Sequence, residues 1–477
     1  MCSVLSDRQK DVWSERFRMD ERFEVMKARV DMSATHTSSH RKLPFAALKR
    51  LIADSLFRHN ILLFAANMAV SALNYLFYPV VGHLLGGEGL GILASLGAIS
   101  IIFLIPTQIV ANVANKFTAD LIAQDRVEQV NYLLRQGSRY ALGAGVLTAI
   151  AFIILSPTLS TFLNLPSSQY IVIMSVGFVL SFASPVTVGV IQGRQQFEWF
   201  AFINLLTVFL RVASAAVAVR LGWGLSGILW AGLVAGIVVY VLSFVPLRDI
   251  LRRSITPFAA LKPLFGYSLG ATAMISGGLL LVNTDTILVR HFLPRQSGYY
   301  AALTTTGRIV LFIGGSLIWV MFPKVATLHQ QGRSHVRVLA WTMAGVLALS
   351  ASVVAVFRFF PNQILTLILH VPAVVSQQLF WYGLSMLLLA LANVLMYYFL
   401  SLGRMAFVPV LLLCCALQAI TIIIWHSTIT QVVTIMIAVT GLLLCGLVVI
   451  LVMQETGASY RRQMGERTAY QVSVSDV

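Results

Sequence analysis

The sequence is poor in charge, poorer in acid than in base, and almost without cysteine. Only 11% of its 477 residues are charged while 58% are hydrophobic, and a soluble globule cannot hide that much apolar surface. The four cysteines, Cys2, Cys414, Cys415 and Cys445, form no CxxC pair, and three of them lie in apolar runs. Neither a disulfide framework nor a metal site is expected of them, and no residue pattern calls for a cofactor. No apolar stretch precedes residue 59: residues 1–58 mix charges of both signs with Ser, His and scattered aromatics. The expectation there is no cleaved signal but a disordered or membrane-surface tail, with the first apolar run as the anchor. Acid is scarcest of all, 18 Asp and Glu against 34 Lys and Arg, and within the apolar runs it is reduced to Asp285.

What is present is apolar length. Crossing a hydrocarbon core of ~30 Å takes roughly 20 helical residues. Runs of that order recur over 59–84, 90–113, 140–163, 170–191, 199–219, 224–246, 266–290, 298–321, 338–360, 376–400, 405–425 and 429–453. Their apolarity is continuous and not alternating, which selects helices over barrel strands. The expected fold class is an all-α integral membrane protein of about 12 transmembrane helices. The breaks between runs on one side are so short that no catalytic domain fits there, so an enzyme such as a polysaccharide polymerase or ligase is disfavoured.

A net charge of +16 would point to nucleic acid in a soluble protein, but the basic residues alternate by side. Twelve lie in residues 1–58, then 4, 1, 4, 3, 1 and 3 in successive segments on the same side, accounting for 28 of the 34. The opposite side holds Arg220, Arg290, Arg295 and Arg358. This is the positive-inside bias, and the expectation from it is that both termini are cytoplasmic, with no nucleic acid among the partners. The basic loops also favour anionic membrane lipids. The 114–139 connection carries helically spaced apolar residues among charges and reads as an interfacial helix. The expected organisation is a cytoplasmic tail (1–58), a six-helix lobe (59–246), a basic cytoplasmic linker (247–265), a second six-helix lobe (266–453) and a C-terminal tail (454–477).

A linker at the midpoint invites a search for an internal repeat. GHLLGGEGLGILASL follows the first run and RHFLPRQSGYYAAL the seventh, aligning Leu85 with Leu293 and, with one residue dropped, Gly91 with Gly298. GRQQF follows the fourth run and GRMAF the tenth, aligning Gly193 with Gly403 and Arg194 with Arg404. The offsets are 293 − 85 = 208 and 403 − 193 = 210. Six spans separate the halves, so the repeat is parallel, about an axis along the membrane normal.

Two six-helix halves, the L-G-x-E-G-x-G-I-L turn and the NTDTILVRHFLPRQSGYYAA segment resemble the polysaccharide-flippase branch of the MOP superfamily, over roughly residues 55–453. That branch includes O-antigen, exopolysaccharide and teichoic-acid flippases, with lipid II flippases and MATE exporters as cousins. The resemblance implies alternating-access transport of an undecaprenyl-pyrophosphate-linked oligosaccharide across the bacterial cytoplasmic membrane, through a cavity between the lobes. Glycosyltransferases or a polymerase of the same pathway would be further partners.

Ionisable groups at membrane depth are the functional pointers, since each costs at least ~2.5–3.5 kcal/mol in lipid. Arg211 lies about twelve residues into its run and Arg308 about ten, one per half at similar depth. Polar residues at helical spacing accompany them: Asn204, Thr207 and Ser214 with Arg211; Asn60, Asn67, Ser71, Asn74 and Tyr78 in the first run; Gln108, Asn112 and Asn115 in the second; Thr272, Ser276, Asn283 and Thr286 in the seventh. Neutral amides and hydroxyls suit sugars, and fixed guanidinium suits a pyrophosphate. Equally, such stripes serve helix packing. Substrate contact is expected of Arg211, Arg308, Asn204, Asn74, Asn67, Asn283 and Gln108. Asp285 and Arg290 are candidates for ion coupling or a structural ion pair, and Arg194, Arg404 and Lys116 for headgroup contact at the inner face. A cation exporter would want several intramembrane acids. A scaffold recruiting glycosyltransferases is the non-transport alternative.

Overall fold

The computed structural model describes residues 55–256, 265–367 and 373–475, with side chains between 68 and 454 except at 84, 257–271, 319 and 368–374. The tail expectations for 1–54 and part of the linker lie outside these residues. Two compact units are distinguished, Met1–Ile61 and Leu62–Val477. All that follows concerns the second.

Twelve long helices build it: α1 (Ser55–Phe103), α2 (Ile105–Ala123), α3 (Val127–Ile154), α4 (Gln169–Gly193), α5 (Phe197–Arg220), α6 (Gly224–Leu242), α7 (Phe265–Phe292), α8 (Ser297–Gln330), α9 (Val336–Phe359), α10 (Gln378–Ser401), α11 (Phe407–Ile424) and α12 (Ile429–Ser475). Among the described residues eleven segments are long and apolar enough to span a membrane. The first expected run, 59–84, is the helical first arm of α1, whose side chains are described only from Met68. That arm ends at Gly86, whose φ of 68° is open to glycine and costly to other residues, so the helix is broken there between the first run and the second. Pro79 lies inside this arm.

The halves repeat each other in packing. In the first, α4 packs on α2, α3 and α6, and α5 on α6; in the second, α10 packs on α8, α9 and α12, and α11 on α12. These pairings superpose when six is added to each helix number, as a parallel repeat requires. α10 is the centre of its lobe, with 72% of its apolar stretch buried.

The turns fix the register. After α4, Gln195 and Gln196 donate to the Gln192 and Ile191 carbonyls; after α10, Gly403 and Arg404 donate to those of Leu400 and Phe399. Both turns pass through positive φ, at Gln195 (57°) and Gly403 (68°). The offset is therefore 403 − 195 = 208, not the 210 of the GR dipeptides. Gly193 is not the turn glycine: it lies in α4, close against the Asn115 carbonyl and Thr118 of α2. After α2 and α8 the same turn recurs at Asp125 (57°) and Gly332 (67°), offset 207, the value shared by Gly91 and Gly298.

One expectation is overturned. Residues 114–139 form no separate interfacial helix, because α2 and α3 simply continue past the apolar runs and meet in the 124–126 turn. Their amphipathic spacing comes from packing: Phe117, Thr118, Leu121, Val130 and Leu134 are buried within the lobe.

Candidate functional site

α5 turns two different faces outward. Phe202, Phe209 and Val217 are 49%, 52% and 55% exposed and form its apolar outer stripe. At about 100° per residue, Arg211 lies on the other side, within about 60° of Asn204, Thr207 and Ser214 and of the buried Ala215 and Ala218. Arg211 is itself exposed, so its charge opens into space on the inward side of the helix and away from the apolar surface. Its Cζ sits 4.0 Å from the centroid of the Phe77 ring of α1, a cation–π contact of about 0.5–2 kcal/mol.

Arg308 approaches the neighbouring residue of α1 from the second lobe. It donates through Nη2 to the Val282 carbonyl and, at 3.2 Å, to the Thr286 hydroxyl, which ties α8 to α7. Tyr78 is near enough to act on its charge. Its Nε is buried with no acceptor. Among the described residues neither arginine has a carboxylate within ion-pair distance, but the buried Asp285 carboxylate acts on the charge of Arg308 from farther off, and Tyr382 hydrogen-bonds to both. The two guanidinium groups thus address consecutive residues of α1, Phe77 and Tyr78, about eight residues or ~12 Å along the helix from its Gly86 end, the end that the charge pattern leads one to expect on the outer side.

Asp285 is held behind this pair. Fully buried, it accepts from Tyr300 Oη at 2.7 Å and Tyr382 Oη at 3.4 Å on Oδ2, and from the Thr286 backbone N–H (2.7 Å) and hydroxyl (3.3 Å) on Oδ1. With four donors the carboxylate is satisfied as an anion, joining α7, α8 and α10. The two tyrosines were not singled out by sequence reasoning. Their signal is faint, a hydroxyl in an otherwise apolar run.

The remaining expected residues divide. Asn204 and Asn283 donate to carbonyls of their own helices, Phe200 (2.9 Å) and Leu279 (2.8 Å), and Asn283 Oδ1 is buried without a donor. Asn74 is half-buried on α1; the side chain of Asn67 lies outside those described. On α2, Gln108, Asn112 and Lys116 are exposed at i, i+4, i+8, opposite the face carrying Thr107, Ala114, Phe117, Thr118 and Leu121 that packs within the lobe. Asn115 beside them donates to Gln192 Oε1 at 3.4 Å. α7 of the second lobe also packs on α2, so this stripe borders the inter-lobe space. Arg194 is engaged by Asp249 in a bidentate pair (2.9 and 2.6 Å) and by the Pro246 carbonyl (2.8 Å), and Arg404 by Gln454 Oε1 (2.7 Å). Of the three cations expected at the inner face, Lys116 alone has no such described partner. Arg290 does not join the central group but reaches the first lobe at the outer end.

The family described as "Polysaccharide biosynthesis protein" matches residues 139–370. None of the curated proteins matches the chain by sequence. Among solved structures it is similar to an inward-facing multidrug resistance MATE family transporter of the MOP superfamily: 14% identity, 84% of this chain and 99% of that one, TM-score 0.70. It is also similar to a MOP superfamily transporter from Pyrococcus furiosus Vc1, described as having a binding pocket of reverse polarity that suggests a different function (15%, 83% and 95%, 0.54). An outward-facing MATE transporter covers the same share of this chain, 84%, at a TM-score of 0.50 and 14% identity.

Proposed function

We propose, for a chain that has the MOP-superfamily fold, that it is a flippase moving an undecaprenyl-pyrophosphate-linked oligosaccharide across the bacterial cytoplasmic membrane by alternating access. The observation that carries this reading is the pair of guanidinium groups, Arg211 and Arg308, one from each lobe, the first over the Phe77 ring and the second within electrostatic reach of Tyr78. Fixed positive charge with free donors suits a pyrophosphate, which accepts bidentate hydrogen bonds from arginine. The amide stripe of α2 gives sugar hydroxyls neutral partners on the way from the inner face. The match over 139–370 to a family described by polysaccharide biosynthesis supports a part in that process.

Export of small organic cations is the weaker reading. It calls for a carboxylate free to meet the cation, whereas Asp285 is saturated by Thr286, Tyr300 and Tyr382.

The test is polymer export in a flippase-null bacterium, with membrane levels matched. The protein restores export; Arg211→Ala and Arg308→Ala each lower it by about tenfold or more, the loss of a charge-assisted contact of ~1.5–3 kcal/mol. Arg→Lys at either site retains part of it, since charge persists without the planar fork. Full export by both alanine variants overturns the arginine mechanism. Rescue of a lipid II flippase deletion in place of polymer export reassigns the glycan.

A further inference from the structure

The outer ends of the two lobes are held together by contacts that the arginine pair does not use. Arg290, at the end of α7 and 2% exposed, donates through Nε to the Leu163 carbonyl at 2.8 Å and through Nη2 to the Asn164 carbonyl at 2.6 Å. Both carbonyls belong to the α3–α4 connection of the first lobe. Its Nη1 is anchored on its own lobe by Ser297 Oγ (3.0 Å) and the Pro294 carbonyl (3.3 Å), so the fork is aimed before it meets the partner. The connection answers back: Asn164 Nδ2 donates to the His291 carbonyl at 2.9 Å, and His291 Nδ1 lies 2.6 Å from the Phe162 carbonyl. The Phe162 and His291 rings stack at 4.1 Å. Glu88, on the turn of α1, adds a negative charge that acts on Arg290.

The arrangement is one-sided. In the sequence alignment that pairs Leu85 with Leu293, His291 corresponds to His83, but Arg290 corresponds to Gly82, which has no side chain to reach across. His83 instead turns its Nδ1 to the Pro79 carbonyl of its own helix. A contact needed only to build two similar lobes would be present in both.

We infer that the Arg290 fork and the 162–164 segment form a latch that holds the outer end closed, and that it must open for the lobes to part there. The inference rests on the alternating-access reading, but its test does not need a substrate. Opening exchanges four inter-lobe hydrogen bonds for water, two of them from a cation, so the closed form is favoured without being irreversible.

Spin labels at Thr161→Cys and Gln296→Cys, both exposed and one on each lobe, with the native cysteines replaced, report the outer separation in lipid nanodiscs. A short separation is expected to dominate in the parent. Arg290→Met is expected to raise the long-separation population by about tenfold, the change that ~1.4 kcal/mol makes. Asn164→Gly and His291→Ala, near the surface and tolerant of folding, are expected to move it the same way by less. An unchanged distribution in folded variants overturns the latch. So does undiminished export by Phe162→Cys/His291→Cys once the pair is oxidised to a disulfide. If the separation shifts but no glycan is exported by the parent, the flippase reading falls and the latch stands.

Discussion

Asp285 shows how a single buried side chain is either a working group or a fastener, and its hydrogen bonds decide which. A carboxylate with four donors has no lone pair to spare for a passing cation, so its removal is felt as instability of the α7–α8–α10 block. Tyr300→Phe leaves Oδ2 with the 3.4 Å contact to Tyr382 alone and is expected to cost about 1–3 kcal/mol. Asp285→Ala strips the donors and uncompensates Arg308, costing about 3–5 kcal/mol. Unfolding in detergent measures both, and export per folded Tyr300→Phe molecule is expected to be unchanged. Lost export at parental stability would instead move Asp285 into the transport step. Depth along the apolar runs was enough to single out Arg211 and Arg308, because charge in a long apolar run is rare. The tyrosine donors were not legible, since Tyr is ordinary in such runs and only the fold brings Tyr300 and Tyr382 to one oxygen.

At the scale of elements, the repeat-related turns meet each other. A Cβ on Gly298 would fall on the Gly87 carbonyl, and one on Gly91 would fall against Ser297 and the Gly298 backbone N–H. The lobes thus touch backbone to backbone at their outer ends, beside the Arg290 fork. Gly298→Ala forces backbone to move, and at about 1–3 kcal/mol is expected to lower stability or part the outer ends in the spin-label measurement. Gly97→Ala in α1, with nothing within 4 Å of its Cβ, serves as the control and is expected to stabilise the helix by about 0.5–1 kcal/mol. These turns were visible in sequence as glycine-rich breaks, and Gly91 and Gly298, aligned there with one residue dropped, do meet. The GR dipeptides misled by two residues because the turn there needs a positive φ that Gln195 supplies without glycine. The 114–139 segment misled for a related reason: helical spacing looks the same whether a helix lies on a membrane or extends beyond it into a lobe.

For the whole molecule, the outer closure and the polar stripe of α2 together predict a state open toward the basic side. Gln108 and Asn112 lie in the half of the second run farther from the Gly86 turn, exposed on the face turned from their own lobe, while the lobes are joined at the other end by Arg290 and by Gly91 and Gly298. The charge rule assigns 28 of the 34 basic residues in the sequence to the side to which these stripes lead, and the expectation from it is that this side is the cytoplasm. Gln108→Cys and Asn112→Cys, in a background without native cysteines, are therefore expected to react with a membrane-impermeant maleimide in inside-out vesicles and to be protected in right-side-out ones. Oxidising the Phe162→Cys/His291→Cys pair in the same background is expected to leave this inner labelling intact, because a closed outer end keeps the lobes parted at the inner one. Labelling from the outer side only would reverse the assigned topology. Protection that appears at the inner side on outer cross-linking would show that the two ends do not move against each other, and would remove the rocking of lobes on which alternating access depends.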